Sequence, residues 1–159
     1  MTPDALRIAL FSGNYNYVRD GANQALNRLV GYLLRQGAAV RIYSPVVEHP
    51  AFPATGDLID VPSVSIPGRP EYRVPIALPS RVRRDLAAFA PNVIHIASPD
   101  IVAHRAVSWA RSHGIPAVAS VHTRFETYLQ YYHLQMFEPS VRAIMRRLYR
   151  RCDAIVAPA

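Results

Sequence analysis

Apolar residues in this chain come in short runs, and longer amphipathic stretches separate them, an alternation that predicts strands and helices in turn. Residues 6–11, Leu-Arg-Ile-Ala-Leu-Phe, read as a buried strand. A polar loop over 12–20 follows, holding Gly13, two Asn and two Tyr, residues that bend the chain and offer hydrogen bonds. Asp20 stands as an N-cap, Gly21 opens a helix, and Leu26, Leu29, Val30, Leu33 and Leu34 fall on one face of it. Gly37 closes that helix, and residues 38–44 form a second strand that Pro45 ends. A strand, a helix and a strand so close together predict a parallel sheet with a right-handed crossover.

Residues 45–79 are proline-rich and irregular. Within them, 58–61 and 63–66 read as short strands, and 67–73 as a turn-dense loop carrying Arg69 and Arg73. Ser80 is placed to cap a helix with Val82, Leu86 and Phe89 inward, and residues 93–97 form the next buried strand. Ser98-Pro-Asp reads as a helix start, with a cap, a proline and an acid in order. That helix is expected to run to about His113, burying Val102, Ala106 and Trp109, before Gly114 ends it and 116–121 make another strand. Thr123 and Glu126 have the spacing of a capping box. Pro139 should break the chain's next helix and Ser140 cap a new one, with Val141, Ile144, Met145, Leu148, Tyr149 and Cys152 as its apolar stripe. Residues 153–157 begin a last strand. The fold class is therefore α/β: a Rossmann-like, doubly wound, mostly parallel sheet.

At 159 residues, half of them hydrophobic, the chain is expected to form one domain over 1–159 with a substantial core. No apolar run approaches a membrane span, and no secretory leader pattern is visible, so a cytoplasmic location is expected. One cysteine, Cys152, excludes an internal disulfide and reads as a buried, inert thiol. The net charge of +7, with all 18 basic residues arginine, implies attraction to something anionic: phosphate esters, acidic lipid or nucleic acid. Arg142, Arg146 and Arg150 recur at helical spacing, with Arg147 and Arg151 beside them, the pattern of a basic amphipathic helix at an anionic membrane surface or of a solvated face on a packed helix.

Chemistry concentrates at two strand ends. The loop after the first strand meets a helix N-terminus, whose unpaired N–H groups and partial positive charge suit an anionic group. Gly21 permits close backbone approach, yet neither the dinucleotide fingerprint nor a Walker loop is present. His122 follows the strand 116–121 at its carboxyl end, where open parallel sheets place ligands. His95, His104 and His133 read as structural. No acidic pair at a strand end has metal-ligand spacing.

Several segments together resemble the N-terminal domain of GT-B glycosyltransferases of the retaining family 4 type. They are the Asp20-Gly21-Ala22 loop, the stretch Gly-Ile-Pro-Ala-Val-Ala-Ser-Val-His-Thr-Arg-Phe-Glu-Thr-Tyr-Leu over 114–129, the segment 61–73 and the terminal Cys-Asp-Ala-Ile-Val-Ala-Pro. The ordered set is similar to bacterial mannosyltransferases and to sulfoquinovosyl- and diacylglycerol-glycosyltransferases. The resemblance implies the acceptor-side half of a two-domain architecture, the nucleotide-sugar domain lying outside this chain and the isolated half inactive or nearly so. It implies retaining transfer of a hexosyl group, mannose-type favoured, from a nucleotide diphosphate sugar as co-substrate to a hydroxyl of a lipid or glycan acceptor, with neither a divalent metal nor a cofactor. Carried over by motif, Gly21 approaches the donor diphosphate and His122 is the catalytic residue facing the donor sugar. Asp20, Arg19, Asn14, Tyr15 and Tyr17 line the cleft with Thr123 and Phe125, and Arg69 and Arg73 stand on the acceptor side. The inner face of the plasma membrane is then a docking surface for the arginine helix. Two other classes compete: a flavodoxin-like receiver, which would want acids after the first strand where Phe-Ser-Gly-Asn stands, and a basic membrane or nucleic-acid adaptor, of which nucleic acid is the less favoured partner.

Overall fold

The computed structural model describes residues 2–121 and 138–157. Six strands form one parallel sheet: β1 (Arg7–Phe11), β2 (Ala39–Ser44), β3 (Asp57–Asp60), β6 (Val93–Ile96), β7 (Ala117–Ser120) and β8 (Ala154–Val156). Their order is β3-β2-β1-β6-β7-β8. Among the described residues four α-helices accompany them: α1 (Gly21–Arg35), α2 (Ser80–Phe89), α3 (Ile101–Ser112) and α4 (Glu138–Arg150). Between β3 and α2 an antiparallel pair stands apart as its own sheet, β4 (Ser63–Ile66) with β5 (Arg69–Pro75).

Alternation along β1 shows why the sheet is covered on both faces. Ile8 and Leu10 join Leu26 and Val30 of α1 in one core cluster. Ala9 and Phe11 point the other way, into a larger cluster with α2, α3 and Leu148 of α4. A strand of period two feeding two layers of helices is the doubly wound arrangement that the sequence predicts. Two helix ends follow the expected chemistry closely. Gly37 takes φ +93° and Gly114 φ +66°. After α1, Ala38 N–H donates to Leu33 O at 3.0 Å and Gly37 N–H to Leu34 O at 3.0 Å. After α3, Ile115 N–H reaches Ala110 O at 2.9 Å. Both are Schellman closures, whose left-handed residue disfavours any side chain with a Cβ.

The structure corrects several sequence expectations. The cap of α3 is Asp100, whose carboxylate accepts from Ala103 N–H at 2.8 Å, and the helix starts at Ile101. Ser98 instead accepts from Gly13 N–H, and Pro99 stays outside the helix. Ser80 is the first residue of α2 rather than its cap; Pro79 occupies that position without a side-chain bond. Ser140 lies inside the first turn of α4 rather than capping it, beside Pro139, whose missing N–H has no intrahelical partner to lose there; the helix that Pro139 is expected to break lies outside the described residues. The supposed loop over 67–73 is largely β5, because Gly68 at φ +79° turns the chain back along β4. Leu29, Leu34 and Ile144 are exposed rather than packed, since the apolar stripe of each helix is wider than the surface it rests on. Trp109 is only partly buried and stacks on His113, with centroids 4.1 Å apart. Cys152 is half-buried, and burial pushes its thiol up, as an unreactive sulfur requires.

Candidate functional site

Between β1 and β6 the winding of the sheet reverses. From β1 the chain moves outward through β2 and β3, then returns to the other side of β1 and continues through β6, β7 and β8. At such a switch point the loops leaving the two central strands diverge, so a crevice opens outside their carboxyl ends. Here that crevice is a cleft of about 110 Å³. Ser12 and Asn14 from the β1–α1 loop line it, together with Asp20, Ala22 and Asn23 at the start of α1. Ala97 and Ser98 after β6 form the opposite wall, and Leu26 lies at its base.

The α1 wall is held by a reciprocal cap. Asp20 Oδ1 accepts from Asn23 N–H at 2.8 Å, and Asn23 Oδ1 accepts from Asp20 N–H at 3.0 Å. Asn23 is thus the amide variant of the usual glutamate in a capping box, and it also donates through Nδ2 to Val18 O. Asn27, one turn on, donates to Tyr15 O at 2.8 Å and accepts from Thr55 N–H at 3.1 Å. These buried amides fix the loop to the helix beside the buried ring of Tyr15. A Cβ on Gly21 would meet nothing within 4 Å, and its backbone is not left-handed. Neither packing nor conformation of the described residues therefore asks for glycine there.

Gly13 is different. A Cβ at this position would stand 3.2 Å from both Asp100 Oδ2 and Ser98 Oγ, so glycine allows the two loops to touch across the crevice. Ser98 Oγ accepts from Gly13 N–H at 2.5 Å and reaches Asp100 Oδ2 at 3.3 Å. Burial pushes the Asp100 carboxyl up to about 6, against the stabilising bonds from Ala103, Ser98 and Val102. The folded chain therefore holds this proton more tightly than the unfolded chain does, whose carboxyl titrates near 3.8. The stabilisation is complete below that value and is lost as pH rises towards 6. Asp100→Asn keeps an acceptor for Ala103 N–H but cannot ionise. Its thermal midpoint should lack the decline of the parent between about pH 4 and 6, a difference on the order of 3 kcal/mol at neutral pH, read by thermal melts across that range.

The sequence-predicted residues distribute unequally. Asn14 and Asp20 line the crevice, and Gly21 adjoins it at the helix N-terminus. Tyr15 does not: it is fully buried with its hydroxyl on Thr55 O at 2.5 Å, so it belongs to the core under α1. Burial raises its phenol well above the ordinary value. Tyr17 is also buried and acts as a tie. Its hydroxyl lies 2.8 Å from Gly13 O, 2.9 Å from Arg73 O, and accepts from Arg73 N–H at 3.1 Å, joining the β4–β5 hairpin to the crevice loop. The Arg73 guanidinium donates to Ser63 Oγ at 2.7 Å and Ser63 O at 3.0 Å, so it braces the hairpin rather than reaching the crevice. Arg19 turns away as well, donating to Ala51 O at 3.2 Å with its guanidinium over the Phe52 ring. Arg69 opens β5, and its side chain lies outside the described ones. His122, Thr123 and Phe125 lie outside the described residues, as do the expected capping box with Glu126 and the aromatic run that holds His133. Ser12, Ala22, Asn23, Ala97, Ser98 and Asp100 are additions from the structure. Ser-Pro-Asp after β6 was the available signal, readable as a helix start but not as the wall facing Gly13.

Fold and crevice together define an open, doubly wound α/β domain with its site at the switch point, next to a helix N-terminus. Residues 19–159 match Glycosyltransferase Family 4, and the chain belongs to that family. It is 28% identical over 158 residues to a sulfoquinovosyl transferase of Arabidopsis thaliana, covering 96% of this chain and 30% of that protein. It is 25% identical over 158 residues to a GDP-mannose-dependent alpha-mannosyltransferase of Mycolicibacterium smegmatis, covering 97% of this chain and 42% of that one. A protein of the same description from Mycobacterium tuberculosis is 26% identical over 159 residues, with the same two shares. The chain thus spans less than half the length of these curated relatives.

Proposed function

We propose that this chain is the N-terminal, acceptor-side half of a retaining glycosyltransferase. The intact enzyme moves a hexosyl group, mannose-type favoured, from a nucleotide diphosphate sugar to a hydroxyl of a lipid or glycan acceptor. The observation that carries this reading is the crevice at the family's site end of the sheet, with an unobstructed glycine at the α1 N-terminus. Helix dipole and free N–H groups there favour the diphosphate of a leaving nucleotide, and a residue without a Cβ lets it come within contact. Asn14, Asp20 and Ser98 supply the donors and acceptors that orient a hydroxylated ligand. His122 is the catalytic residue of the proposal, stabilising positive charge at the anomeric carbon. Catalysis is then chiefly electrostatic and needs neither a strong base on this domain nor a metal. The nucleotide site belongs to a second domain, and this half alone turns over little or nothing. Its place of work is the cytoplasm.

Release of nucleotide diphosphate by the product of the full reading frame, across UDP- and GDP-sugars with lipid and glycan acceptors, tests the reading. GDP-mannose is the donor expected to be consumed. His122→Ala should cut that release about a hundredfold, or 2.7 kcal/mol of barrier. Consumption of no donor with any acceptor would remove the enzyme and leave a binding module.

A further inference from the structure

Ser98 lines the crevice with one hydroxyl proton and two lone pairs to place. One lone pair accepts from Gly13 N–H at 2.5 Å. On the other side of the hydroxyl stands Asp100 Oδ2, 3.3 Å away. Asp100 Oδ1 is engaged by Ala103 N–H at 2.8 Å, so a proton taken up by this carboxyl belongs on Oδ2, facing Ser98. The carboxyl thereby sets the direction of the serine proton. With Asp100 ionised, Ser98 donates to Oδ2, and only its second lone pair is left for the crevice. With Asp100 protonated, Oδ2–H donates to that lone pair, and the Ser98 O–H is released towards the crevice. Gly13 keeps the three groups in reach of one another, since a Cβ there would stand 3.2 Å from both Oδ2 and Oγ.

We propose that this pair selects the group a ligand can place against the β6 wall: Ser98 accepts from a ligand hydroxyl while Asp100 is ionised, and donates to an oxyanion only once Asp100 is protonated. Ser98 is then the specificity determinant and Asp100 its positioning residue. The inference rests on the crevice being a ligand site, as proposed above, and not on which sugar is moved. The surroundings sharpen the choice. Asp20 stands on the opposite wall, and among the described residues no arginine or histidine lines the crevice. Arg73 is engaged by Ser63, and the Tyr17 phenol, which feels the Asp100 charge, is held neutral by burial. On α3, the His104 imidazole feels Arg147 and Arg151 of α4. Arg146, Arg147, Arg150 and Arg151 gather in a groove of their own on α4, away from the crevice. Burial holds the Asp100 carboxyl up at about 6, so both arrangements are reached within a pH unit or so of neutrality. At neutral pH the β6 wall takes a hydroxyl and turns away a phosphate or carboxylate, whose unprotonated oxygens only accept. The diphosphate of the proposed donor lies against α1, on the other wall.

Sulfate, which has acceptors and no proton in this range, is the probe, and the Gly13 amide of the isotope-labelled 159-residue chain reports its binding in NMR titrations. With a carboxyl that titrates at about 6, roughly nine-tenths of the molecules carry the proton at about pH 5 and about one in thirty at about pH 7.5. The sulfate affinity of the wild-type chain should therefore fall about thirtyfold between the two. Asp100→Asn presents an N–H to Ser98 at every pH, and should bind sulfate at about pH 7.5 as tightly as the wild type does at about pH 5. Ser98→Ala should bind weakly at both and lose the pH dependence, which simple charge repulsion by Asp100 would leave in place. Glycerol, whose hydroxyls donate as well as accept, should shift the same amide alike at the two pH values. Sulfate binding that is absent or independent of pH, an Asp100→Asn chain no better than wild type at about pH 7.5, an unchanged pH dependence in Ser98→Ala, or a glycerol response that follows that of sulfate would overturn the proposal. Should either variant fail to fold, the wild-type profiles of sulfate and glycerol still decide. None of these measurements needs turnover, so a flat sulfate profile leaves glycosyl transfer standing, and an enzyme that consumes no donor leaves the Ser98 result standing.

Discussion

Gly21→Val should lower turnover of the full-length enzyme between a hundred- and a thousandfold while leaving its thermal midpoint unchanged or slightly raised. The two halves of that expectation have separate causes. Among the described residues, and beyond its own neighbours and helix backbone, a Cβ here meets nothing within 4 Å, and the backbone at this position suits an L-residue, so the described fold has no reason to object. Glycine is a poor helix former, and any residue with a Cβ restricts the unfolded chain more, which tilts stability slightly the other way. The branched side chain does, however, fill the space in front of the α1 N-terminus, beside Ala22 and Asp20. A diphosphate bound there would lose contact with the helix N–H groups. Loss of one such preorganised donor in other enzymes costs a factor of this size. Nucleotide release and a thermal melt on the same preparation check both halves. Undiminished turnover would take the diphosphate away from α1 while leaving the family assignment intact.

Leu148→Ala should have the largest effect on stability, about 2 to 5 kcal/mol. Leu148 is completely buried, in the same cluster as Ala103, Ala106, Val107 and Ala110 of α3. Those partners are small and sit on a rigid helix, so they cannot close over the space a leucine leaves. The α3–α4 contact is sparse, and Met145 is the only other fully packed side chain of α4 among the described residues. For a domain of this size the midpoint should fall by roughly 5 to 15 °C. Ile144→Ala on the same helix is the control, because more than half of that side chain is already in water. It should move stability by less than about 0.5 kcal/mol, and equal effects of the two substitutions on a melt would contradict the observed seating of α4.

Local chemistry and hydrophobic period determined most of the architecture. Strands β1, β2, β6 and β7 are short apolar runs whose two faces both meet helices, so period and length identify them without tertiary information. The Asp20 cap of α1 and the glycine closures at Gly37 and Gly114 depend on groups a few residues apart, and such contacts are legible in a linear chain. The order of elements then limited the fold to a doubly wound sheet and placed the site end at the carboxyl edge.

What required the folded molecule is everything that depends on which loops meet. Nothing local distinguishes Tyr15 from Tyr17 or Asn14. Only the return of residues 51–56 beneath the loop makes Tyr15 a core side chain bonded to Thr55, while Asn14 stays at the crevice. Arg73 had the charge to reach a phosphate, yet the pairing of β4 with β5 brought Ser63 within 2.7 Å and engaged the guanidinium in the hairpin. Ser98 looked like a cap because its neighbours have cap spacing, whereas the approach of Gly13 from 85 residues away decides its partner. The sequence by itself determined the alternation of strands and helices, the Asp20 cap, the glycine closures at Gly37 and Gly114 and the charge of α4, because each rests on short-range bonding and on periodicity. The tertiary structure decided which polar groups face one another across the switch point, because those contacts are closed by loops whose conformation no local pattern specifies.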